Sequence, residues 1–201
     1  RGHVATQYFR TVHDAVRAIE PQMLILGSRF LAFSAAAPVV AAATPYVDAF
    51  SINAYEWNET WTGIARSGAA VSGNYRVGEL LEDVDALHAT SGKPVLISEF
   101  GYRAADSGLP NSTPPQYPVL YDQAERGEAY AAYLDRVLER PYIVGAHWFK
   151  HADQPYTGRN DGEDNNWGFV SIEDAAYPEM FLRMWSVHHS IYQTRAALAQ
   201  P

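Results

Sequence analysis

Cysteine is absent from the 201-residue sequence, which excludes disulfide bonds, thiolate metal ligands and a cysteine nucleophile. Positive charge is also scarce, because 15 Lys and Arg residues face 23 Asp and Glu residues and the formal net charge is -8. Proteins that bind a nucleic-acid backbone need clustered Lys and Arg, and none cluster here. We therefore expect no nucleic-acid partner, and a neutral ligand suits the chain better.

The sequence also lacks any apolar run of the length that spans a membrane, so we expect no membrane partner. Residues 1–4 contain neither an initiator methionine nor the apolar core of a signal peptide. From this start we expect the chain to be a piece of something longer. Its hydrophobic fraction of 47% is ordinary for a globular protein, and its length is enough for one sizeable core.

Hydrophobic spacing predicts an alternation of strands and helices. The predicted helices are 4–19, 35–43, 78–90, 123–140 and 178–198, and the predicted strands are 23–27, 47–55, a central strand within 93–102, and 143–149. Residues 150–176 are predicted to form a long polar loop. Residues 103–121 are predicted to form another, too rich in glycine and proline for regular structure.

Four strands that are each followed by a helix imply right-handed parallel crossovers and an α/β fold. The long loops all follow strands, whereas the connections from helix to strand are short. This asymmetry is typical of the (β/α)8 or TIM barrel, whose active site lies at the carboxyl ends of its strands. Such a barrel needs about 250 residues. The sequence therefore predicts half of one, four parallel βα units, with residues 1–201 as a single incomplete domain.

Glu99 is the first candidate for chemistry because it follows the apolar run of the central strand directly. Pro94 opens this stretch without a backbone donor, and Gly101 ends it. A carboxylate after a buried strand is costly unless it is hydrogen-bonded or used, and ligands bind at the carboxyl ends of parallel strands. The alternative is a structural salt bridge between Glu99 and Arg29 or Arg103.

Other polar and aromatic residues end the predicted strands and should converge with Glu99 on one face. A carboxylate, a tyrosine that hydrogen-bonds it and a tryptophan that stacks on a sugar ring are what glycoside hydrolysis needs. The alternative for Tyr55 and Trp148 is a place in the core. The strand-end candidates are Arg29, Asn53, Tyr55, His147, Trp148 and Lys150.

The loops that follow the strands add a second set of candidates. Trp57 and Trp167, like Trp61, sit among polar residues where a large aromatic is hard to explain as core, whereas Trp185 on the last helix is interpreted as core. The acidic stretch 161–165 has oxygen ligands in the style of a calcium site but lacks the spacing of the 12-residue calcium loop. Solvation or hydrogen bonding to sugar hydroxyls is favoured for Asp161, Glu163, Asp164 and Asn165.

No metal or cofactor is predicted. His147 and His151 lack a third ligand at a recognisable spacing, and both are interpreted as polar groups that line the site. The sequence contains no G-x-S-x-G elbow, no phosphate-binding glycine loop and no dinucleotide fingerprint.

A family resemblance runs along nearly the whole chain. Its segments, in order, are 8–9 through 25–30, 51–55 (Ser-Ile-Asn-Ala-Tyr), 94–101 (Pro-Val-Leu-Ile-Ser-Glu-Phe-Gly), 147–159 and 161–169. With them the chain resembles the C-terminal half of a clan A retaining glycoside hydrolase, and most of all the β-agarases of family 50 and related galactan-active enzymes. The resemblance implies that the strands are the fifth to eighth of the barrel. It also implies that Glu99 is the nucleophile, that Tyr55 orients it and that Trp148 forms the floor of a sugar subsite.

The general acid/base of clan A is the glutamate of an Asn-Glu pair after the fourth strand, which this chain lacks. Asn58-Glu59 is the sole Asn-Glu pair, but it follows the presumed sixth strand and is interpreted as coincidence. The resemblance thus implies a hydrolase of a β-linked polysaccharide such as agarose that carries the nucleophile without its acid, and is nearly inactive alone. It also implies a missing N-terminal half barrel in cis, and a secreted or periplasmic location because polysaccharides lie outside the cell.

Two alternatives stay open. One is a β-galactosidase or β-mannanase of the same clan. The other is a non-catalytic carbohydrate-binding half barrel that assembles with a partner chain or as a homo-oligomer, because two exposed strand edges invite pairing.

Overall fold

The computed structural model describes residues 2–31, 36–56, 77–112 and 117–198. The chain divides into two compact units, each built from three stretches of sequence. The first unit comprises Arg1–Ala54, Glu79–Glu99 and Pro141–His147, and the second comprises Tyr55–Gly78, Phe100–Arg140 and Trp148–Pro201.

A four-stranded sheet in the order β1-β2-β3-β6 forms the centre of the first unit. β1 pairs with β2 and β2 pairs with β3, both in parallel. The side chains of Phe50, Ile52, Val95 and Ile97 are fully buried, as the apolar runs of a sheet covered on both faces predict. The strands are β1 (Arg29–Leu31), β2 (Phe50–Asn53), β3 (Val95–Phe100) and β6 (Ile143–Trp148).

Three helices accompany this sheet: α1 (Gly2–Ile19), α2 (Ala37–Ala43) with the 3-10 turn Thr44–Tyr46, and α3 (Val77–Ser91). The last turn of α1 is anchored by Arg17, whose guanidinium donates to both oxygens of Asp48 at 2.8 and 2.7 Å. The backbone N–H of Ile25 donates to the same carboxylate at 2.8 Å. This backbone hydrogen bond, with the charge of Arg17, lowers the pKa of Asp48.

The second unit contains a short parallel ribbon and two long helices. The ribbon pairs β4 (Arg103–Ala104) with β5 (Val119–Leu120), with the 3-10 turn Ala105–Ser107 between them. The helices α4 (Gln123–Leu138) and α5 (Pro178–Leu198) pack against each other. Their close approach requires Gly127, because a Cβ there would lie 2.9 Å from the Cβ of Arg183.

The structure confirms an α/β fold with parallel strand pairing and corrects three details. The predicted strand 23–27 is wrong: the backbone of Ile25 bonds to Asp48 instead, and sheet pairing begins at Arg29, beyond the turn at Gly27 where φ is 70°. The prediction of no regular structure in 103–121 is also wrong, because β4 and β5 lie there.

The third correction concerns Trp185, predicted as core but 55% exposed. Helix α5 buries Met180, Met184 and Val187 instead, so Trp185 lies outside this buried stripe, where its ring is 4.4 Å from that of His189. Among the described helices, none has both the length and the apolar character required to cross a membrane.

Candidate functional site

Glu99 lies near the end of β3 in the first unit, and its side chain is 16% exposed. Each carboxylate oxygen accepts a hydrogen bond from a strand-end side chain. Arg29 Nη1 donates to Oε1 at 2.5 Å, and Asn53 Nδ2 donates to Oε2 at 2.7 Å. The parallel register places Asn53 beside Glu99, whereas Arg29, which begins β1 and pairs with Ser51, reaches Glu99 through its long side chain. Three residues singled out by the sequence therefore meet at one edge of the sheet.

Ser98 belongs to this cluster and was not predicted. Its Oγ donates to Asn53 Oδ1 at 2.9 Å. The pairing of β2 with β3 steps from Ile52–Ile97 to Asn53–Glu99, so Ser98 is an extra residue in β3, a β-bulge. Sequence reasoning assigns Ser98 and Glu99 to opposite faces of a regular strand, which is why it missed Ser98. A serine before a strand-end carboxylate was the available signal.

The cluster is suited to holding a carboxylate in one orientation. Arginine and amide N–H groups are the donors that a carboxylate accepts, and each oxygen of Glu99 has one. The Arg29 contact is also the ion pair that the structural alternative expected. However, the Arg29 side chain is 58% exposed, and exposed ion pairs contribute about 0–1 kcal/mol. Stability is therefore a weak explanation for this arrangement.

Trp148 lies in the second unit, half-buried among aromatic side chains. Its indole Nε1 donates to the carbonyl of Trp167 at 2.9 Å. The ring stacks on Phe169 with the centroids 5.5 Å apart, and the guanidinium carbon of Arg126 lies 5.2 Å from its centroid. These contacts fix the orientation of the ring while part of it stays open to solvent.

Tyr55 and Trp167 form an aromatic cluster in the same unit. Their ring centroids are 5.6 Å apart, and Tyr55 also contacts Tyr117 at 5.0 Å. Tyr55 is buried, as expected for the alternative in which it belongs to the core. The expectation that Trp167 lies outside the core is wrong, because it is 2% exposed beneath the guanidinium of Arg103, 5.3 Å from the ring centroid. Sequence reasoning placed it outside because its neighbours are polar, but those neighbours are buried too.

Asn165 is one of those buried neighbours, and the expectation that it binds a sugar hydroxyl is wrong. Its side chain is completely buried and accepts from Arg103 Nη1 at 2.8 Å. Its backbone N–H donates to Gln154 Oε1 at 2.6 Å. Its hydrogen-bonding capacity is thus used to hold the loop rather than offered to a ligand.

The remaining loop candidates lie nearer the surface. Asp161 is exposed and pairs with Arg159, which also lies 3.3 Å from Glu163. Glu163 Oε2 accepts from Gln154 Nε2 at 2.5 Å. His147 is exposed and Lys150 is half-buried, so both side chains reach solvent. Trp57, like Asn58-Glu59, lies outside the described residues.

A network of buried polar side chains, which we name the loop network (Gln123, Arg126, Asp153 and Asn166), joins helix α4 to the loop after β6. Asp153 accepts from Gly168 N–H at 2.7 Å and Asn166 Nδ2 at 2.9 Å. Asn166 Oδ1 accepts from Gln123 Nε2 at 3.0 Å. Arg126 donates to Gln123 Oε1 at 3.0 Å. Burial lowers the pKa of Arg126 to about 10, so it stays charged at neutral pH.

Glu56 is a second carboxylic acid that sequence reasoning missed. It follows the predicted strand 47–55 and is 1% exposed. Burial raises its pKa to about 8, an effect that the hydroxyl of Tyr102 partly offsets. Glu56 is therefore mainly protonated at neutral pH. Its position at the end of an apolar strand, like that of Glu99, was the signal available in the sequence.

Within the stretches that the structure describes, no three His, Asp or Glu side chains are grouped so that they could hold a metal ion. The chemistry that these residues can perform is that of carboxylic acids, amides and aromatic surfaces.

An α/β fold with a parallel sheet and a carboxylate at a strand end defines the class of the chain. No family model matches it. Two curated β-agarases of Vibrio sp. (strain JT0107) are similar. β-Agarase B is 31% identical over 193 residues, which are 96% of this chain and 18% of the relative. β-Agarase A is 36% identical over 182 residues, 88% of this chain and 16% of the relative.

The chain is also similar to parts of solved structures. PfGH50B superposes with a TM-score of 0.78 at 32% identity, covering 96% of this chain and 25% of that one. An exo-β-agarase also superposes with a TM-score of 0.78, at 36% identity and 23% of its length. A Faecalibacterium prausnitzii β-glucuronidase, at 18% identity and a TM-score of 0.60, shares the fold alone. The chain is thus homologous to a segment of β-agarases that spans 16–18% of the curated relatives.

Proposed function

We propose that the chain is the nucleophile-bearing part of a retaining glycoside hydrolase of clan A that acts on a β-linked polysaccharide such as agarose. In this proposal the sheet is half of a (β/α)8 barrel, equivalent to its fifth to eighth strands. The observation that carries the proposal is the carboxylate of Glu99, with one oxygen held by Arg29 and the other by Asn53 at the strand end. The similarity to β-agarases supports it.

Glu99 acts as the nucleophile. Its carboxylate attacks the anomeric carbon while the glycosidic bond breaks, which gives a covalent glycosyl-enzyme. Arg29 and Asn53 hold the carboxylate so that one conformer is favoured before substrate binds. In the same proposal, Trp148 stacks on a sugar ring, a role that the family resemblance implies.

The leaving oxygen must receive a proton, and a water must later be deprotonated to release the sugar. In a retaining enzyme one second carboxylic acid does both, and its carboxyl group lies about 5–5.5 Å from the nucleophile. We propose that this acid is supplied by an N-terminal half barrel in cis or by a partner chain. The chain alone then hydrolyses natural polysaccharides very slowly.

An inhibitor that needs no acid tests the nucleophile in the chain itself. The inhibitor is a β-galactoside that is fluorinated beside the anomeric carbon and carries a dinitrophenolate leaving group. Because dinitrophenolate departs without a proton, we expect slow formation of a stable glycosyl-enzyme, which peptide mass spectrometry locates on Glu99. A Glu99→Gln variant is the matched control. Labelling elsewhere, or equal labelling of the variant, would show that Glu99 is not the nucleophile.

The Arg29–Glu99 ion pair favours one second candidate, a non-catalytic carbohydrate-binding protein in which Glu99 is structural. Calorimetric titration with agarose oligosaccharides, together with the labelling experiment, separates the two. Binding without any covalent labelling supports the second candidate. Labelling by β-mannosyl or aryl β-galactosyl analogues in preference to agarose-derived ones would instead indicate a β-mannanase or β-galactosidase of the same clan.

A further inference from the structure

Asn53 can hold Glu99 in only one of its two amide orientations. A carboxylate has no hydrogen to donate, so the amide must present Nδ2 to Glu99 Oε2, where the distance is 2.7 Å. If the amide turned over, its carbonyl oxygen would face the carboxylate oxygen, and the two acceptors would repel each other. The orientation of the amide therefore decides whether Asn53 supports or opposes the carboxylate.

Ser98 makes the contact that selects this orientation. Its Oγ lies 2.9 Å from Asn53 Oδ1, and a hydroxyl can donate to a carbonyl oxygen. The same hydroxyl could also accept from an amide, but with Nδ2 turned to Glu99 it is the carbonyl oxygen of Asn53 that faces Ser98, and that oxygen can only accept. Only one assignment of donors and acceptors satisfies both hydrogen bonds: Ser98 donates to Asn53, and Asn53 donates to Glu99.

The β-bulge makes this chain of contacts possible. Regular strands alternate their side chains between the two faces, so Ser98 and Glu99 would be separated. Because Ser98 is the extra residue of β3, both of these neighbours reach the amide of Asn53. The carbonyl of Glu99 accepts from Ala54 N–H at 2.9 Å, which fixes the backbone just after the bulge.

We propose that Ser98 is a positioning residue for the nucleophile, acting through the amide of Asn53. The inference rests on the proposed function for the role of Glu99, but the contact between Ser98 and Asn53 does not. Loss of the hydroxyl should free the amide to turn over, so that the carboxylate loses its second donor for part of the time. The expected consequence is slower attack by Glu99 with little change in folding.

The test compares three variants of the chain: Ser98→Ala, Ser98→Thr and Ser51→Ala. Ser98→Ala removes the hydroxyl, Ser98→Thr keeps it, and Ser51→Ala removes a different buried serine of the same sheet. The first measurement is the rate at which the fluorinated β-galactoside labels Glu99. We expect about a tenfold loss for Ser98→Ala, the effect of one hydrogen bond. Native-like rates are expected for Ser98→Thr and Ser51→Ala.

The second measurement needs no sugar chemistry. In the NMR spectrum, the side-chain amide protons of Asn53 should exchange with water faster in Ser98→Ala than in the native chain, and at the native rate in Ser98→Thr. If these protons exchange at the native rate in Ser98→Ala, the hydrogen bond between Ser98 and Asn53 does not exist in solution. Changed exchange with unchanged labelling, or equal losses of labelling in the alanine and threonine variants, would overturn the positioning role. Absence of labelling in the native chain would overturn the proposed function instead, while the exchange rates still decide whether the contact exists.

Discussion

The carboxylate of the first unit is held by side chains of two strands of its parallel sheet, whereas the loop after β6 in the second unit is held by buried side chains of a helix. Glu99 is joined by Arg29 of β1 and Asn53 of β2, the two strands that precede β3 in the sheet order. The loop network instead joins Gln123, at the start of α4, to Asn166 in the loop after β6. Strands of one sheet thus position the side chains around Glu99, and buried hydrogen bonds position those of the loop network.

The two regions also differ in how far their arginines, Arg29 and Arg126, are exposed to solvent. Arg29 pairs with Glu99 while 58% of its side chain is exposed. Arg126 is completely buried and is held by the carbonyl of Tyr102 at 2.8 Å and by Gln123. An exposed arginine can be oriented for use at little cost, whereas a buried one must have its charge satisfied by the surrounding structure. We therefore assign reactivity to the first region and rigidity to the second.

Glu99→Gln should give the largest effect. The amide that it introduces cannot attack the anomeric carbon, so turnover by any assembly that contains the acid/base should fall by roughly a thousandfold or more. Folding should be nearly unchanged, because the ion pair that is lost is partly exposed. Steady-state kinetics and urea unfolding of the same preparation measure the two quantities. Equal activity in the two proteins would make Glu99 structural.

Arg126→Ala should give the largest effect on stability. It leaves Gln123 Oε1 and the Tyr102 carbonyl without a buried donor, so the free energy of unfolding should fall by about 3 kcal/mol. Arg29→Ala is the matched control in the first unit, with an expected loss of about 1 kcal/mol or less. Urea unfolding measures both. Similar losses for the two variants would remove the distinction between the regions.

Glu56→Gln should change how stability depends on pH. The folded chain raises the pKa of Glu56 from 4.5 to about 8, so between these values the folded state binds more protons than the unfolded state. This group therefore makes the free energy of unfolding fall as the pH rises from 4.5 to 8, by about 1.4 kcal/mol per unit at most. Below 4.5 and above 8 its contribution should be constant.

The matched measurement is urea unfolding of both proteins at several pH values across that window. Glutamine does not titrate, so the difference between the native chain and Glu56→Gln should grow steadily with pH. Parallel pH curves for the two proteins would contradict the burial of an ionisable Glu56.

Trp185→Ser should give the smallest effect. The ring is 55% exposed, so the free energy of unfolding should change by about 0.5 kcal/mol or less. Trp167→Ala, which removes a ring that is 2% exposed, should cost about 3–5 kcal/mol. Chemical unfolding monitored by far-ultraviolet circular dichroism compares the variants without relying on tryptophan fluorescence. A large loss for Trp185→Ser would indicate that the ring is covered in solution.

Much of the first region could be predicted from the sequence because strand periodicity is a local signal. An apolar run followed by Glu99 indicates a strand end, and parallel order then brings Asn53 to the same edge. Arg29 was expected after a strand 23–27, but it begins β1 and reaches Glu99 from there. Ser98 could not be placed, since a β-bulge shifts the alternation by one residue without a distinctive sequence pattern.

The second region was harder because its buried residues lie in loops, where no regular spacing marks which side chains are covered. Trp167 and Asn165 have polar neighbours along the chain, so they looked exposed, but Arg103 covers both. Trp185 lies on a helix with other apolar residues and looked buried. Its exposure follows from which stripe of α5 packs against α4, which helical spacing alone does not decide.

The most direct test of the account is mass-spectrometric mapping of the glycosyl-enzyme formed by the fluorinated β-galactoside on the native chain. The account predicts one modified peptide, spanning β3, with the sugar esterified to Glu99 and no modification in Glu99→Gln. A sugar found on another carboxylate, such as Glu56 or Glu59, would contradict it.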